Sequence, residues 1–347
     1  MQPINTALCS FGMSGWVFHA PFIAASPDFN LYGVWERTKN LAQEKYPGVK
    51  TFRGMEEMLA DENIELVVVN TPSVTHYDYA KLVLNAGKHC IVEKPFTATV
   101  VQAQELIDLA NRKNVKLSVY QNRRYDSDFK TVKKILNEGL LGKIVEAEIH
   151  YDRYVPELSY KLHKETPTPA VGALYDLGSH LIDQALQFFG MPIAVFGDLA
   201  NNRPGSQVDD YFNLILFYPG HRVILKCSYY VREAIPGYQI HGTLGSFIKH
   251  KTDVQEMDLQ AGKKPGGEGW GIEPAAQHGL LHTEREGKII REYIPSLKGN
   301  YGEYYGGIYH ALRNGAAVPV SAEDGMKVIQ VIEAAIKSNK EKRVMEL

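Results

Sequence analysis

Asp176, His180, Asp183 and Gln187 follow one another at spacings of four, three and four. On a helix turning about 100° per residue they fall on one narrow polar stripe. Leu177, Leu181, Ile182, Ala185, Leu186, Phe188 and Phe189 cover most of the remaining circumference. A helix that is apolar almost all round is buried, so the stripe must face a cavity, a partner or an internal network. A carboxylate one turn from an imidazole favours the imidazolium while burial opposes it, which is the setting of a proton acceptor. Gly178, on the first turn, leaves room for another molecule to approach. A structural Asp–His hydrogen bond and a solvent-facing stripe at a domain edge are the alternatives. A metal site ranks third, because no further histidine stands at a supporting spacing.

A second chemical position is Lys94, in Glu93-Lys94-Pro95 at the end of an apolar run. Carboxyl ends of strands in an open parallel sheet form the crevice where ligands bind. A lysine there can donate to a substrate hydroxyl and stabilise alkoxide character during hydride loss. A strand-end surface lysine is the bland alternative. The third position is Ser10-Phe11-Gly12-Met13-Ser14-Gly15, which matches the dinucleotide fingerprint G-x-G-x-x-G except that Ser10 replaces the first glycine. Gly12 lets a backbone approach a pyrophosphate, Gly15 lets helix pack on sheet, and the free N–H groups favour the anion. About twenty residues on stand Glu36, Arg37 and Thr38. A carboxylate there reads the ribose of NAD, and an arginine there receives the 2′-phosphate of NADP. Both are present, so the choice between cofactors stays open at this point.

These residues need elements to hold them. Short apolar runs at 7–11, 31–35, 66–70, 90–93 and 116–120 alternate with helical patterns at 15–25, 38–45, 55–60, 76–86 and 99–113. That predicts a doubly wound parallel sheet over residues 1–121. Gly87 stands where a left-handed helix cap is expected. From 122 to 347 the pattern changes to α+β. Helices are expected at 128–138 and 175–189, strands at 144–155, 194–200, 211–218, 222–231, 238–242 and 247–251, and closing helices at 301–314 and 322–337. A largely antiparallel sheet flanked by helices follows. The glycine-rich stretch 263–271 reads as a surface loop.

The 347 residues suffice for two domains, and the formal charge of −2 leaves no basic footprint for nucleic acid or anionic membrane. The chain opens on a strand-like run without a leader pattern, and its apolar runs are too short to span a bilayer. Three scattered cysteines, Cys9, Cys90 and Cys227, argue against a disulfide framework. The expectation is a cytoplasmic enzyme.

The strings Thr71-Pro72-Ser73-Val74-Thr75-His76 and Ala86-Gly87-Lys88-His89-Cys90-Ile91-Val92-Glu93-Lys94-Pro95 resemble the cofactor domain of the glucose–fructose oxidoreductase/inositol dehydrogenase (Gfo/Idh/MocA) family. Gln121-Asn122-Arg123-Arg124-Tyr125-Asp126 and the run from Leu174 through Gln184 resemble a narrower branch that includes NADP-dependent scyllo-inositol dehydrogenases. The resemblance implies an N-terminal Rossmann domain and a C-terminal mixed sheet whose open face builds a homodimer or homotetramer. It implies catalytic roles for Lys94, Asp176 and His180, with Asp176 and His180 also touching substrate. Thr71, Pro72, His76, Glu93 and Lys94 would line the cofactor, and Asn122 and Arg123 would stand near the substrate. Ser10 is the departure from the family pattern.

Together these readings predict an NAD(P)-dependent dehydrogenase, with NADP slightly favoured over NAD, acting on a secondary alcohol of a cyclitol, polyol or sugar. His180 is the general base, Lys94 polarises the reacting oxygen, and Asp176 orients His180. Phe11, Gly12, Met13, Ser14, Gly15, Glu36, Arg37 and Thr38 are the cofactor contacts of the first two turns. Tyr154, among the tyrosines and arginines of 151–160, is a substrate contact, or simply one face of an alternating strand. No resident metal is expected. The rival readings are a non-catalytic NAD(P)-binding redox sensor and, behind it, a metal-dependent hydrolase on Asp176, His180 and Asp183.

Overall fold

The computed structural model describes residues 2–347. In chain order the first elements are β1 (Ile4–Leu8), α1 (Ala20–Ala25), β2 (Phe29–Trp35), α2 (Leu41–Lys45), β3 (Lys50–Phe52), α3 (Met55–Ala60), β4 (Leu66–Val69), α4 (His76–Asn85), β5 (His89–Glu93), α5 (Val100–Lys113) and β6 (Leu117–Tyr120). Then come α6 (Ser127–Asn137), β7 (Ile144–His150), α7 (Ser179–Phe189), β8 (Ala194–Ala200), β9 (Tyr211–Phe217), β10 (Arg222–Ser228), β11 (Tyr238–Gly242) and β12 (Gly245–Lys249). The last are α8 (Gln255–Gln260), β13 (Gly279–Arg285), β14 (Lys288–Ile294), α9 (Gly302–Arg313), α10 (Ala322–Glu341) and β15 (Met345–Glu346).

The chain forms two compact units. The first runs to Asn122 and takes in Gln255–Trp270 and Asn300–Met326. Its six strands are ordered β3-β2-β1-β4-β5-β6 and every pair is parallel. The order reverses between β1 and β4, which makes their carboxyl ends the switch point of the sheet. β4 reads Leu-Val-Val-Val and is buried on both faces, as a central parallel strand must be. The helix α5 is capped by Thr99, whose hydroxyl accepts the Gln102 N–H at 3.2 Å. Gly87 has φ 73°, the left-handed conformation expected of it. Segments from late in the chain complete this core: Tyr304 and Tyr305 of α9 pack on Tyr120, and Phe22 packs on Trp270.

Three details depart from the expectation for this half. The strand expected at 7–11 begins at Ile4, because buried Thr6 turns its hydroxyl onto the Ile4 carbonyl at 3.1 Å and so tolerates an apolar setting. Residues 10 and 11 belong to the turn. The helix expected at 15–25 opens as a π-helical turn, Ser14–His19. The short edge strand β3 was not expected at all.

The second unit comprises Arg123–Val254, Gly271–Gly299 and Lys327–Leu347. Its nine strands run β14-β13-β12-β11-β7-β10-β9-β8-β15, antiparallel except for β7 and β10. Alternation puts Ala147, Ile149, Leu214, Leu216, Val223 and Leu225 on the buried face. Each aliphatic side chain of leucine or valine size buried there is worth about 1.5–3 kcal/mol. At Gly197 a Cβ would lie 2.6 Å from the Ala335 carbonyl oxygen, so glycine is what lets α10 close on β8.

The strand expected at 144–155 ends at His150, and the hairpin of β13 and β14 lies where no strand was expected. Its turn uses Glu286 and Gly287, both with positive φ (52° and 73°), the conformation a two-residue hairpin demands. The helix expected at 175–189 likewise begins as a π-helical turn, Leu174–Gly178, before α7. All three cysteines are free and buried, and burial raises the thiol pKa of each. Among the described residues no helix is long and apolar enough to cross a membrane.

Candidate functional site

In the first unit, four loops converge on the carboxyl edge of the parallel sheet, after β1, β2, β4 and β5. The turn after β1 is built by local chemistry. A Cβ on Gly15 would lie 2.3 Å from the Ser10 carbonyl oxygen and 3.0 Å from Asn70 Nδ2, so only glycine fits. Asn70, at the end of β4, donates Nδ2 to that same carbonyl at 2.8 Å. Ser10 departs from the fingerprint without disturbing it: its φ is not positive, and its hydroxyl accepts the Gly12 N–H at 3.1 Å. Around Gly12 an added Cβ would meet only the Ser10 hydroxyl, at 3.4 Å, which leaves the close approach a pyrophosphate needs. Phe11 is buried with its ring edge-on to Tyr46, while Met13 is exposed. This turn fits a dinucleotide: Gly12 and the residues through Gly15 would hold its phosphates.

The loop after β2 divides the two adjacent charges. The Glu36 carboxylate is buried and accepts the N–H groups of Leu41 and Ala42 at 3.2 and 3.0 Å. Arg53, which the sequence reading missed, donates to the carbonyls of Glu36 and Lys39 at 2.8 and 2.7 Å and to Asn40 Oδ1 at 2.5 Å. Arg37 and Thr38 are exposed.

After β4, the Thr71 and Thr75 hydroxyls bond at 2.7 Å, and Pro72 accepts from Thr75. Buried His76 places Nε2 3.0 Å from the Thr71 carbonyl and Nδ1 2.8 Å from the Pro95 carbonyl. The imidazole therefore ties the β4 loop to the β5 loop, and desolvation lowers its pKa. The Lys94–Pro95 peptide is cis. Glu93 takes the Lys94 N–H on one oxygen at 3.0 Å. Its other oxygen takes the Ser14 hydroxyl at 2.5 Å and His19 Nε2 at 3.0 Å. Asn122, the last residue of the unit's first segment, is buried.

In the second unit, α7 carries His180, Asp183 and Gln187 of the expected stripe, while Asp176 lies in the π-helical turn before it. His180 and Asp183 are buried, and Asp176 is partly exposed with Lys164 Nζ 3.3 Å from its carboxylate. Asp183 holds Arg124 in a two-pronged pair at 2.6 and 2.8 Å, one bond to each carboxylate oxygen. The His180 ring lies alongside Tyr151, centroids 6.4 Å apart, and Tyr151 carries Arg153 and Lys251 at 5.2 and 5.4 Å. Lys251 donates to the Tyr238 hydroxyl at 2.7 Å and to Gln184 Oε1 at 3.0 Å. Tyr238 also bonds Asp128 at 3.1 Å. Burial lowers the Lys251 pKa and raises that of nearby Asp126. Arg123 stands 3.7 Å from Asp126. Tyr154 is exposed, bridged to Tyr230 and covered by the Arg232 guanidinium at 4.0 Å.

The structure thus gathers the fingerprint turn, Glu36–Thr38, Thr71–His76 and Glu93–Lys94 on one sheet edge, and places His180 with Tyr151 in the other unit. Sequence reasoning missed Lys251, which stands over the Tyr151 ring, and Lys251's own partners Tyr238 and Gln184. Gln184 lies beside the four-residue stripe and is fully buried; a second polar residue next to Asp183 in a mostly apolar helix was the available signal.

Comparison with known proteins agrees with this two-domain fold. Residues 4–121 match the oxidoreductase-family NAD-binding Rossmann fold, and residues 133–347 match the oxidoreductase-family C-terminal α/β domain. The chain is 41% identical to the scyllo-inositol 2-dehydrogenase (NADP(+)) IolW of Bacillus subtilis, over 100% of this chain and 97% of that one. It is 38% identical to the uncharacterized oxidoreductase YdgJ of Escherichia coli, over 99% and 98%. Among solved structures, an oxidoreductase from Bacillus cereus superimposes with a TM-score of 0.91 at 34% identity, covering 99% of this chain and 98% of that one. With both family domains matched in order and relatives aligned end to end, the chain belongs to the Gfo/Idh/MocA oxidoreductase family.

Proposed function

We propose that this protein is an NADP-dependent dehydrogenase of a cyclitol or related sugar, oxidising one secondary alcohol to a ketone. Lys94, at the carboxyl end of β5 beside the switch point, is the observation that carries the reading. A cation there stabilises the oxyanion that develops as the carbinol loses its hydride. His180 takes the hydroxyl proton as general base, and acid–base help of this kind contributes ~10²–10⁴-fold. Asp176 orients the imidazole and a neighbouring substrate hydroxyl. Arg123 and Asn122 read further hydroxyls, and Tyr154 is assigned to the approach of substrate. When bound, the nicotinamide supplies the hydride acceptor.

The preference for NADP rests on Glu36. Its carboxylate is engaged by two backbone N–H groups, so the exposed Arg37 and Thr38 are left to meet the ribose. The relationship to IolW, named for scyllo-inositol and NADP(+), supports both the substrate class and the cofactor. Assembly through the open face of the nine-stranded sheet is part of the same reading.

The test is absorbance at 340 nm with NAD and NADP in parallel against scyllo-inositol, myo-inositol and glucose. NADPH formation with a cyclitol supports the proposal. Tight NADPH binding with no turnover in either direction, on any polyol or its ketone, would return the protein to the sensor reading.

A further inference from the structure

Three polar side chains that no catalytic role has claimed are buried together in the first unit. His19 is fully inaccessible, Tyr305 is 1% exposed and Glu93 is 8% exposed. They form a continuous line. The Tyr305 hydroxyl lies 2.7 Å from His19 Nδ1, and His19 Nε2 lies 3.0 Å from Glu93 Oε1. The same Glu93 oxygen receives Ser14 Oγ at 2.5 Å, and the second oxygen receives the Lys94 N–H at 3.0 Å. Tyr120 flanks the imidazole with ring centroids 4.3 Å apart.

The hydrogen-bond directions follow from the partners. A carboxylate only accepts, so His19 Nε2 carries the proton that it donates to Glu93, and Nδ1 faces the Tyr305 hydroxyl. Burial raises the Tyr305 pKa, which keeps that hydroxyl a donor. The Glu93 pKa is lowered: burial opposes ionisation, but the bonds from His19 and Ser14 outweigh it. The result is a buried anion with three donors, a costly arrangement unless every bond is made. It joins the π-helical turn after β1, the end of β5 and α9.

We propose that Tyr305, His19 and Glu93 form a positioning relay that fixes the Lys94 backbone against the phosphate turn. Glu93 acts on turnover through Lys94 rather than as a cofactor contact. This rests on the assignment of Lys94 to catalysis. Misplacing a catalytic group by about 1 Å can cost ~10²-fold, so a device that holds one in place has a measurable effect.

The experiment compares His19→Ala, His19→Gln, Tyr305→Phe and Lys94→Ala with the parent. It records kcat and KM for scyllo-inositol, NADPH Kd by fluorescence titration, and Tm. His19→Ala is expected to lower kcat by ~10–100-fold while NADPH Kd moves less than ~3-fold. His19→Gln, whose amide can still donate to Glu93, is expected to recover most of that loss. Tyr305→Phe, which removes one oxygen from a buried site, is expected to fold and to lose kcat by a smaller factor. A parent-like kcat in both His19→Ala and Tyr305→Phe overturns the relay, as does His19→Gln being as impaired as His19→Ala. Equal losses in kcat and NADPH affinity would mean a cofactor contact and overturn it too. Full turnover in Lys94→Ala overturns the underlying assignment and the relay together. An inactive Lys94→Ala with parent-like His19→Ala and Tyr305→Phe overturns the relay alone.

Discussion

The carboxylate of Glu36 accepts the backbone N–H of Ala42 at 3.0 Å, folding the acidic side chain back onto its own loop. Leu41 fills the other oxygen, so the charge that would meet a ribose diol is spent on the first turn of α2. Arg37 is therefore expected to discriminate between the cofactors. Arg37→Ala should weaken NADPH binding by ~10-fold or more, the loss of a charge-assisted phosphate contact, and leave NADH within ~2-fold. Fluorescence titration with the two reduced cofactors decides it; equal losses would place Arg37 on a part they share.

His180 supplies a second test. His180→Ala should reduce kcat by ~10²–10⁴-fold with NADPH Kd nearly unchanged, because the imidazole is assigned to the substrate proton alone. Steady-state kinetics beside a binding titration separates the two effects. Unchanged turnover would remove His180 from the mechanism.

The ion pair of Lys249 and Glu273 makes a stability prediction in the second unit. Both side chains are fully buried at 2.6 Å, and Ser127 and Ser296 also donate to Glu273. Lys249→Met strands an anion and should cost ~3–5 kcal/mol. Adding Glu273→Gln removes the stranded charge, with an amide oxygen to accept from one serine and an amide N–H to donate to the other, so the double variant should regain at least ~1 kcal/mol. Urea denaturation of the three proteins measures this; a double variant weaker than the single would refute it.

Asp209 predicts a pH dependence. Its carboxylate accepts the Leu174 N–H at 2.6 Å, at the start of the π-helical turn before α7, yet burial raises its pKa to about 6. Above pH 6 both states are ionised and the folded state bears the cost. As pH falls from 6 towards 4, the folded state binds a proton that the unfolded state does not, so this group's contribution to stability improves. Asp209→Asn, which keeps an acceptor for Leu174, should raise stability at pH 8 by on the order of 1–2 kcal/mol. It should also flatten the stability profile between pH 4 and 6. A lower Tm for Asp209→Asn at pH 8 would contradict the assignment.

Periodicity carried much of this architecture because burial leaves a regular mark. The run Leu66–Val69 and the alternation in Tyr211–Phe217 could hardly be read otherwise. β14 left no such mark: Ile289 and Tyr293 are exposed beside Lys288, Arg291 and Glu292, so neither face is apolar. The late segments that join the first unit were equally hidden, since Tyr305 meets His19 across 286 residues. Glu36 marks the limit for the site. Its spacing from the turn was legible, but the direction of its carboxylate depends on N–H groups five and six residues later. Lys251 came to stand over Tyr151 only because β12, just before it, pairs with β11 and β11 with β7.

The burial of Cys9, Cys90 and Cys227 has a practical side. Nucleophilic sulfur must be both ionised and reachable, and burial opposes ionisation at all three positions. The native fold thus offers thiol reagents a silent background. One cysteine introduced at an exposed site such as Tyr160 or Leu162 would carry a maleimide dye or spin label without first deleting the natural three.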